Sequence, residues 1–296
     1  MKILLLGKNG QVGWELQRSL TPLGQVISLD RNSTDHCGDF LNPEGLSQTV
    51  LAIQPDVIVN AAAYTAVDKA ESDARNAHTI NAQSPDFIAR SAMQIGACVI
   101  HFSTDYVFDG SGSKAWSETD TPAPLGVYGA SKLAGEQAIA ASGARHLIFR
   151  TSWVYASRGG NFAKTMLRLA QEHETLSVIN DQIGSPTGAD LLADVTAHAL
   201  IKLVNNSEFS GLYHLAAGGE TSWYKYAQHV FDRATLKGLV LKLDSAHYNA
   251  IPTSDYPTAA LRPLNSRLDC TKLKSSFNIH LPHWQQGINR MLDEIL

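Results

Sequence analysis

Tyr128 and Lys132 bound the stretch YGASK, a phenol and an ammonium four residues apart with only small residues between them. Positions four apart on a helix share a face, so both side chains would point the same way and leave room for small molecules. A phenol ionises near pH 10. One that exchanges protons near neutrality must be shifted by about 4 kcal/mol. An ammonium about 4 Å away, at an effective dielectric near 20, contributes about 4 kcal/mol, so one lysine is enough. The chemistry would be proton exchange with a substrate oxygen. A surface helix with an incidental Tyr and Lys has the same spacing, so the pair gains meaning only beside a second hydroxyl and a cofactor cradle.

Both are present upstream. ACVIHFSTD reads as a strand that delivers Ser103 and Thr104 at its carboxyl end, where ligands of open α/β sheets sit. Asp105 follows, as a contact for a substrate hydroxyl or as a turn former. KILLLGKNGQVGWEL carries Gly7, Gly10 and Gly13, with Gln11 and Val12 between the last two. These glycines leave a strand and open a helix, the context of a dinucleotide fingerprint. Their backbone can turn tightly beneath a pyrophosphate, and the helix start offers free N–H groups and partial positive charge. QVISLD ends in Asp30, placed to take an adenosine ribose. Arg31 follows, either a solvated charge or a partner for a 2′-phosphate, so the pair suggests tolerance of both NADH and NADPH. Asp39, beside Phe40 in GDFLN, could accept from an adenine amine. Ala61, Ala62 and Ala63, with Tyr64 next, leave space for a flat cofactor or simply pack tightly.

The elements that must position these residues alternate. KILLLG, QVISLD, DVIVNAAA, ACVIHFSTD and HLIFRTSWVY read as strands. QVGWELQRSL, PEGLSQTVLAI, SPDFIARSAMQIG and SKLAGEQAIAASG read as helices between and after them. In the third of these helices Ser84 is expected to cap, Pro85 to take the first turn and Gly96 to end it. This rhythm implies an α/β fold, a doubly wound parallel sheet of Rossmann type. After Tyr155 it breaks. Residues 1–155 are expected to form a dinucleotide-binding domain. A helix and strand over 189–217 return to its sheet, and 156–188 with 218–296 form a smaller substrate lobe.

Composition narrows the function class. The chain has 296 residues, 44% hydrophobic and 18% charged, with net charge −4, which speaks against a nucleic-acid partner. Cys37, Cys98 and Cys270 are scattered, odd in number and without ligand spacing, as expected of a reduced, cytoplasmic compartment. The short apolar start is broken by Gly, Lys and Asn, unlike a signal peptide. No apolar run approaches the roughly 18 residues of a membrane span.

GKNGQVG, STDYVFDG, YGASK and RTSWVY, in this order, resemble the extended short-chain dehydrogenase/reductase family. Within it they resemble the branch that reduces dTDP-linked 4-keto-6-deoxy sugars in dTDP-rhamnose and polysaccharide biosynthesis. The likeness runs on through DQIGSPT and ALRPLNSRLD. It implies a nicotinamide cofactor (NADPH or NADH), a dTDP-sugar substrate, a homodimer, and Thr104, Tyr128 and Lys132 as the catalytic set. It also implies Trp153 as an aromatic lining the sugar pocket and, in some members, a divalent cation. Two alternatives share the scaffold. A dehydratase needs an extra acid at the strand end, where Tyr106 stands here instead. A non-catalytic regulatory subunit would not need the intact Thr, Tyr and Lys.

A diphosphate brings negative charge, so the second lobe should offer cations. Arg262, Lys164 and Arg168 are candidates, with Asn161 and Trp223 as further contacts. Hydride transfer to a ketone with a tyrosine acid needs no metal, so any cation, such as Mg2+, is expected to be structural. The final helix, WQQGINRMLDEIL, ends with Asp293 and Glu294, carboxylates at the unfavourable end of the macrodipole. A divalent ion there would relieve them and could draw in Glu15 between two subunits, unless the helix end is merely solvated.

Overall fold

The computed structural model describes residues 1–296. The first half alternates as β1 (Lys2–Leu6), α1 (Gln11–Leu20), β2 (Gln25–Leu29), α2 (Pro43–Ile53), β3 (Val57–Asn60), α3 (Val67–Ala70), α4 (Ala74–His78), α5 (Ser84–Ile95), β4 (Cys98–Thr104), α6 (Val127–Ala141) and β5 (His146–Thr151). The second half runs β6 (Val154–Tyr155), α7 (Phe162–Glu172), β7 (Leu176–Ile179), β8 (Ile183–Gly184), β9 (Thr187–Gly188), α8 (Ala189–Asn205), β10 (Gly211–His214), β11 (Thr221–Ser222), α9 (Trp223–Leu236), β12 (Tyr248–Ile251), α10 (Thr271–Phe277) and α11 (Trp284–Ile295). Six strands form one sheet in the order β10-β5-β4-β3-β1-β2, and every pairing in it is parallel.

A parallel sheet covered on both faces needs strands that are apolar throughout. In β1, Ile3 and Leu5 face one core, with Leu16 and Leu20 of α1 and Leu192 and Leu200 of α8. Leu4 and Leu6 face the other, with Leu46 and Val50 of α2 and Ile88 of α5. Each fully buried Leu or Ile contributes about 1.5–3 kcal/mol, and alternation along the strand fixes its register. The strand order reverses between β1 and β3, so their carboxyl ends open a crevice.

The second lobe packs α7, α9 and α11 around Tyr155, Leu167, Tyr226, Val230, Trp284 and Ile288. Small two-stranded pairs edge it: β7 with β12, β8 with β11 and β6 with β9. Between the lobes, α8 packs on the α1 side of the sheet and β10 extends the sheet beside β5.

Two local expectations differ from the structure. Ser84 is not a cap: α4, one turn of π-helix over Thr79–Gln83, and α5 run on without a break, and the Ser84 hydroxyl donates to the Phe40 carbonyl at 2.7 Å. Gly96 does end α5, in the left-handed region at φ +73°. HLIFRTSWVY is not one strand. Trp153 adopts φ +50°, and the chain turns there from β5 to β6.

Candidate active site

A cavity of about 910 Å³ lies over the carboxyl ends of β1, β3 and β4 and reaches the second lobe. Gly7, Gly10, Gln11, Val12, Asp30, Arg31, Asp39, Phe40, Ala61, Ala62 and Ala63 line its sheet side. Thr104, Asp105, Tyr128 and Lys132 line its middle, and Trp153 and Trp223 its far side.

The glycine turn is built for close approach. Gly7 has φ +91°, and a Cβ on Gly13 would stand 2.0 Å from the Gly7 carbonyl oxygen. No side chain could occupy position 13 without prising α1 from β1. The N-cap of α1, Gly10, has no side chain to satisfy the first-turn N–H groups, and the buried Gln11 Oε1 has no partner. Free donors at a helix start, set under an open cavity, suit an anionic pyrophosphate. At the end of β2, Asp30 Oδ1 accepts from the Asn32 N–H (3.1 Å) and the Ser33 hydroxyl (3.1 Å). Its Oδ2 accepts from the Asn9 amide. Arg31 beside it is exposed. These residues fit a dinucleotide.

The catalytic candidates converge by different routes. Thr104 ends β4, which is buried along its whole length. Its hydroxyl donates to Asp105 Oδ1 at 3.1 Å and accepts from the Tyr106 N–H at 3.2 Å. Tyr128 and Lys132 lie in the first turns of α6. That helix approaches closely because Gly129 lets the Tyr106 carbonyl sit 2.1 Å from where a Cβ would be, and Gly135 does the same for the Asn81 carbonyl. Asn81, in the π-turn, binds the backbone of Tyr64 in both directions (2.8 and 3.1 Å) and donates to Ser131 between the two catalytic candidates (3.0 Å). One amide thus ties the loop after β3 to α6.

Burial dominates the electrostatics. It pushes the Tyr128 phenol up to about 12, with the Thr104 hydroxyl pulling it partly back and Asp105 adding to the rise. Burial likewise lowers Lys132 to about 8, opposed by Glu136. It raises Asp105 to about 6, opposed by the Ser266 and Thr104 hydroxyls. Asp105 Oδ2 is buried with no hydrogen-bond partner. The expectation that Lys132 lowers Tyr128 is not met in this state. The Lys132 amine donates to the Phe102 carbonyl at 2.5 Å and stands 3.3 Å from His101 Nε2, so the strand holds it and not the phenol.

Across the cavity, Trp153 and Trp223 stack with centroids 3.6 Å apart and planes at 15°. Gly184 makes room for Trp153, since a Cβ there would meet the indole at 2.8 Å. The Trp223 indole N–H donates to Gln182 at 3.0 Å. Thr65, Ser152, Gly159 and Gly160 also line the cavity. The double glycine in SRGGN was the only sign of the last two in the sequence.

Several expected residues lie elsewhere. Gly13 packs under the turn rather than facing the cavity. The Tyr64 hydroxyl donates to Asp73 at 3.0 Å. Asn161 caps α7, accepting from the Lys164 N–H at 3.1 Å and donating to the Ala156 carbonyl at 2.6 Å. Arg262 is not a free phosphate cation, because it pairs with Asp68 at 2.7 Å. Lys164 donates to the Ser157 carbonyl at 2.8 Å, and Arg168 pairs with Glu172 at 2.6 Å. The case for a cation at the last helix also loses its ground. Arg233 (2.7 Å) and Lys237 (3.0 Å) meet Asp293, and Arg290 meets Glu294 (3.4 Å). Glu15 pairs with Arg18 at 3.4 Å. No group of three or more His, Cys, Asp or Glu side chains in the chain could hold a metal. Basic side chains from α9 and α11 already relieve the carboxylates that the ion was invoked to neutralise.

Comparison with known proteins adds an independent line. The family model described as RmlD substrate binding domain matches residues 1–296. The chain is 60% identical over 295 residues to dTDP-4-dehydrorhamnose reductase of Escherichia coli K12, covering 100% of this chain and 98% of that one. A crystal structure of a dTDP-4-dehydrorhamnose reductase from Clostridium acetobutylicum superposes with TM-score 0.89 at 32% identity, covering 100% and 99% of the two chains. That of the Bacillus anthracis enzyme, in complex with NADP, gives TM-score 0.87 at 35% identity, covering 99% of each.

Proposed function

The chain belongs to the family described as RmlD substrate binding domain, and from that membership we infer that it is an NADP-dependent oxidoreductase. It reduces the C4 keto group of dTDP-4-dehydro-6-deoxy-L-mannose to give dTDP-L-rhamnose. One observation carries the assignment of roles: Thr104, Tyr128 and Lys132 line the same cavity as the glycine turn, and that cavity runs on to the tryptophans of the second lobe.

With a dinucleotide's pyrophosphate held at the glycine turn, a reduced nicotinamide cofactor would supply the hydride. The chain's own residues supply orientation and the proton. Tyr128, held near 12 by burial, is fully protonated at neutral pH and therefore loaded as an acid. It gives its phenolic proton to the oxygen developing at C4, a role worth typically about 10²–10⁴-fold. Thr104 orients the carbonyl from the strand end. Lys132 holds the nicotinamide ribose and, charged and turned into the cavity, steadies the phenolate that remains. Asp105 Oδ2, buried and unpartnered, is placed to accept from a sugar hydroxyl. The Trp153–Trp223 pair offers an apolar wall to the sugar. Asp30 and Arg31 together favour use of both NADPH and NADH. A homodimer in a reducing, cytoplasmic compartment suits the three unpaired cysteines and the family resemblance; sedimentation of the purified chain tests the assembly.

Reduction consumes one hydride and one proton per product, whereas a dehydratase returns its hydride and shows no net use of cofactor. Purified enzyme given NADPH and the 4-keto sugar should therefore lose one NADPH per product. Tyr128→Phe should lose at least about 10²-fold in kcat with NADPH affinity unchanged. Near-normal turnover in that variant would remove Tyr128 from its role.

A further inference from the structure

His101 is absorbed by none of the roles above, yet it is 1% exposed in the middle of β4 and touches Lys132. Its cross-strand partner in the β3–β4 register is Asn60. The Asn60 side chain has a fixed orientation, because its Oδ1 accepts from the Ala62 N–H at 3.0 Å. Its Nδ2 is therefore the atom that faces His101 Nδ1, at 3.0 Å. An amide N–H can only donate, so Nδ1 must be the acceptor, and in the neutral ring the proton then resides on Nε2. That Nε2–H points at Lys132 Nζ, 3.3 Å away.

An N–H aimed at an amine discriminates between its two charge states. The uncharged amine has a lone pair to accept the bond, while donating to the Phe102 carbonyl. The ammonium has none, so donor faces donor. We propose that His101 is a positioning residue that couples the charge of Lys132 to its place: it holds the uncharged amine against β4 and turns the ammonium out toward the cofactor cavity. The inference rests on the cofactor reading given above. The titratable groups around the amine are consistent with it. Glu136, on the same helix, is committed to Arg150 of β5. Tyr128 on α6 and Asp105 after β4 line the cavity side. His101 is itself kept neutral chiefly by burial, and burial brings Lys132 down to about 8.

Binding of the cofactor should then draw a proton onto Lys132 in mildly alkaline solution. Titration calorimetry of NADPH into the full-length chain, at about pH 8.5 in two buffers of different ionisation enthalpy, reads that proton directly. From a free amine near 8, uptake of roughly three quarters of a proton is expected. His101→Gln, whose side-chain oxygen can accept from an ammonium, should bring uptake close to zero. Asn60→Asp offers His101 an acceptor, should move the ring proton to Nδ1, and should also abolish uptake. Nitrogen NMR of the cofactor-free protein should find the wild-type ring protonated at Nε2 and the Asn60→Asp ring at Nδ1. A wild-type ring protonated at Nδ1, or equal uptake in all three proteins, would overturn the role of His101. Failure of NADPH to bind at all would overturn the cofactor reading with it, so the two failures are told apart.

Discussion

At the scale of single residues, Asp105 shows how a site can be set against stability. Its carboxyl is raised from 3.8 to about 6, chiefly by burial, so the folded state prefers the protonated form. The contribution is complete below about pH 4 and is lost as pH rises through about 6, a loss of about 3 kcal/mol by neutrality. Asp105→Asn should therefore unfold at higher urea than wild type at pH 7.5, with the difference closing by about pH 4. A difference that does not vary with pH would mean that Asp105 is ionised in the folded protein without strain. The residues that announced themselves in sequence did so through local spacing. Tyr128 and Lys132 sit one helical turn apart, and the glycines follow one another within seven positions. Arg262 gave no such sign, because its partner Asp68 lies 194 residues away. A lone basic residue reads as an available cation until its carboxylate is known.

At the scale of elements, α6 is the part that must not move if, as proposed, it carries the acid and the lysine. Its buried ion-pair anchor is Glu136–Arg150, at 2.6 Å with side chains 6% and 3% exposed. Arg150 also lies over the Phe108 ring at 5.0 Å. Breaking a buried pair leaves a charge without compensation, at about 3–5 kcal/mol. Glu136→Gln should lower unfolding free energy by that order and reduce kcat more than it weakens NADPH binding, because α6 loses its tie to β5. A loss below about 1 kcal/mol would place the pair among solvated surface bridges. Strand and helix order was readable from alternation, since apolar runs and helical spacing are properties of adjacent residues. The π-turn at Thr79–Gln83 and the break at Trp153 were not. Asn81 and the Gly184 gap enforce them, and both are tertiary contacts.

At the scale of the whole molecule, one ion pair joins distant parts of the chain. Asp68 of α3 accepts from the Arg262 guanidinium at 2.7 Å and the Ala260 N–H at 3.1 Å, and so fastens the 251–264 segment to α3. The pair is partly exposed, so it adds about 1 kcal/mol or less to stability. Asp68→Ala should raise the KM for the sugar nucleotide by roughly fivefold with little change in Tm or NADPH affinity. An equal effect on both ligands would remove the latch from the sugar side. On the proposed function the cavity brings a hydride source to a keto sugar, and that transfer can be followed atom by atom. With NADPH deuterated at the reactive nicotinamide carbon, product analysed by NMR and mass spectrometry should carry one deuterium at sugar C4 per cofactor oxidised. Product free of deuterium at C4, or turnover with no NADPH oxidised, would contradict reduction at that carbon.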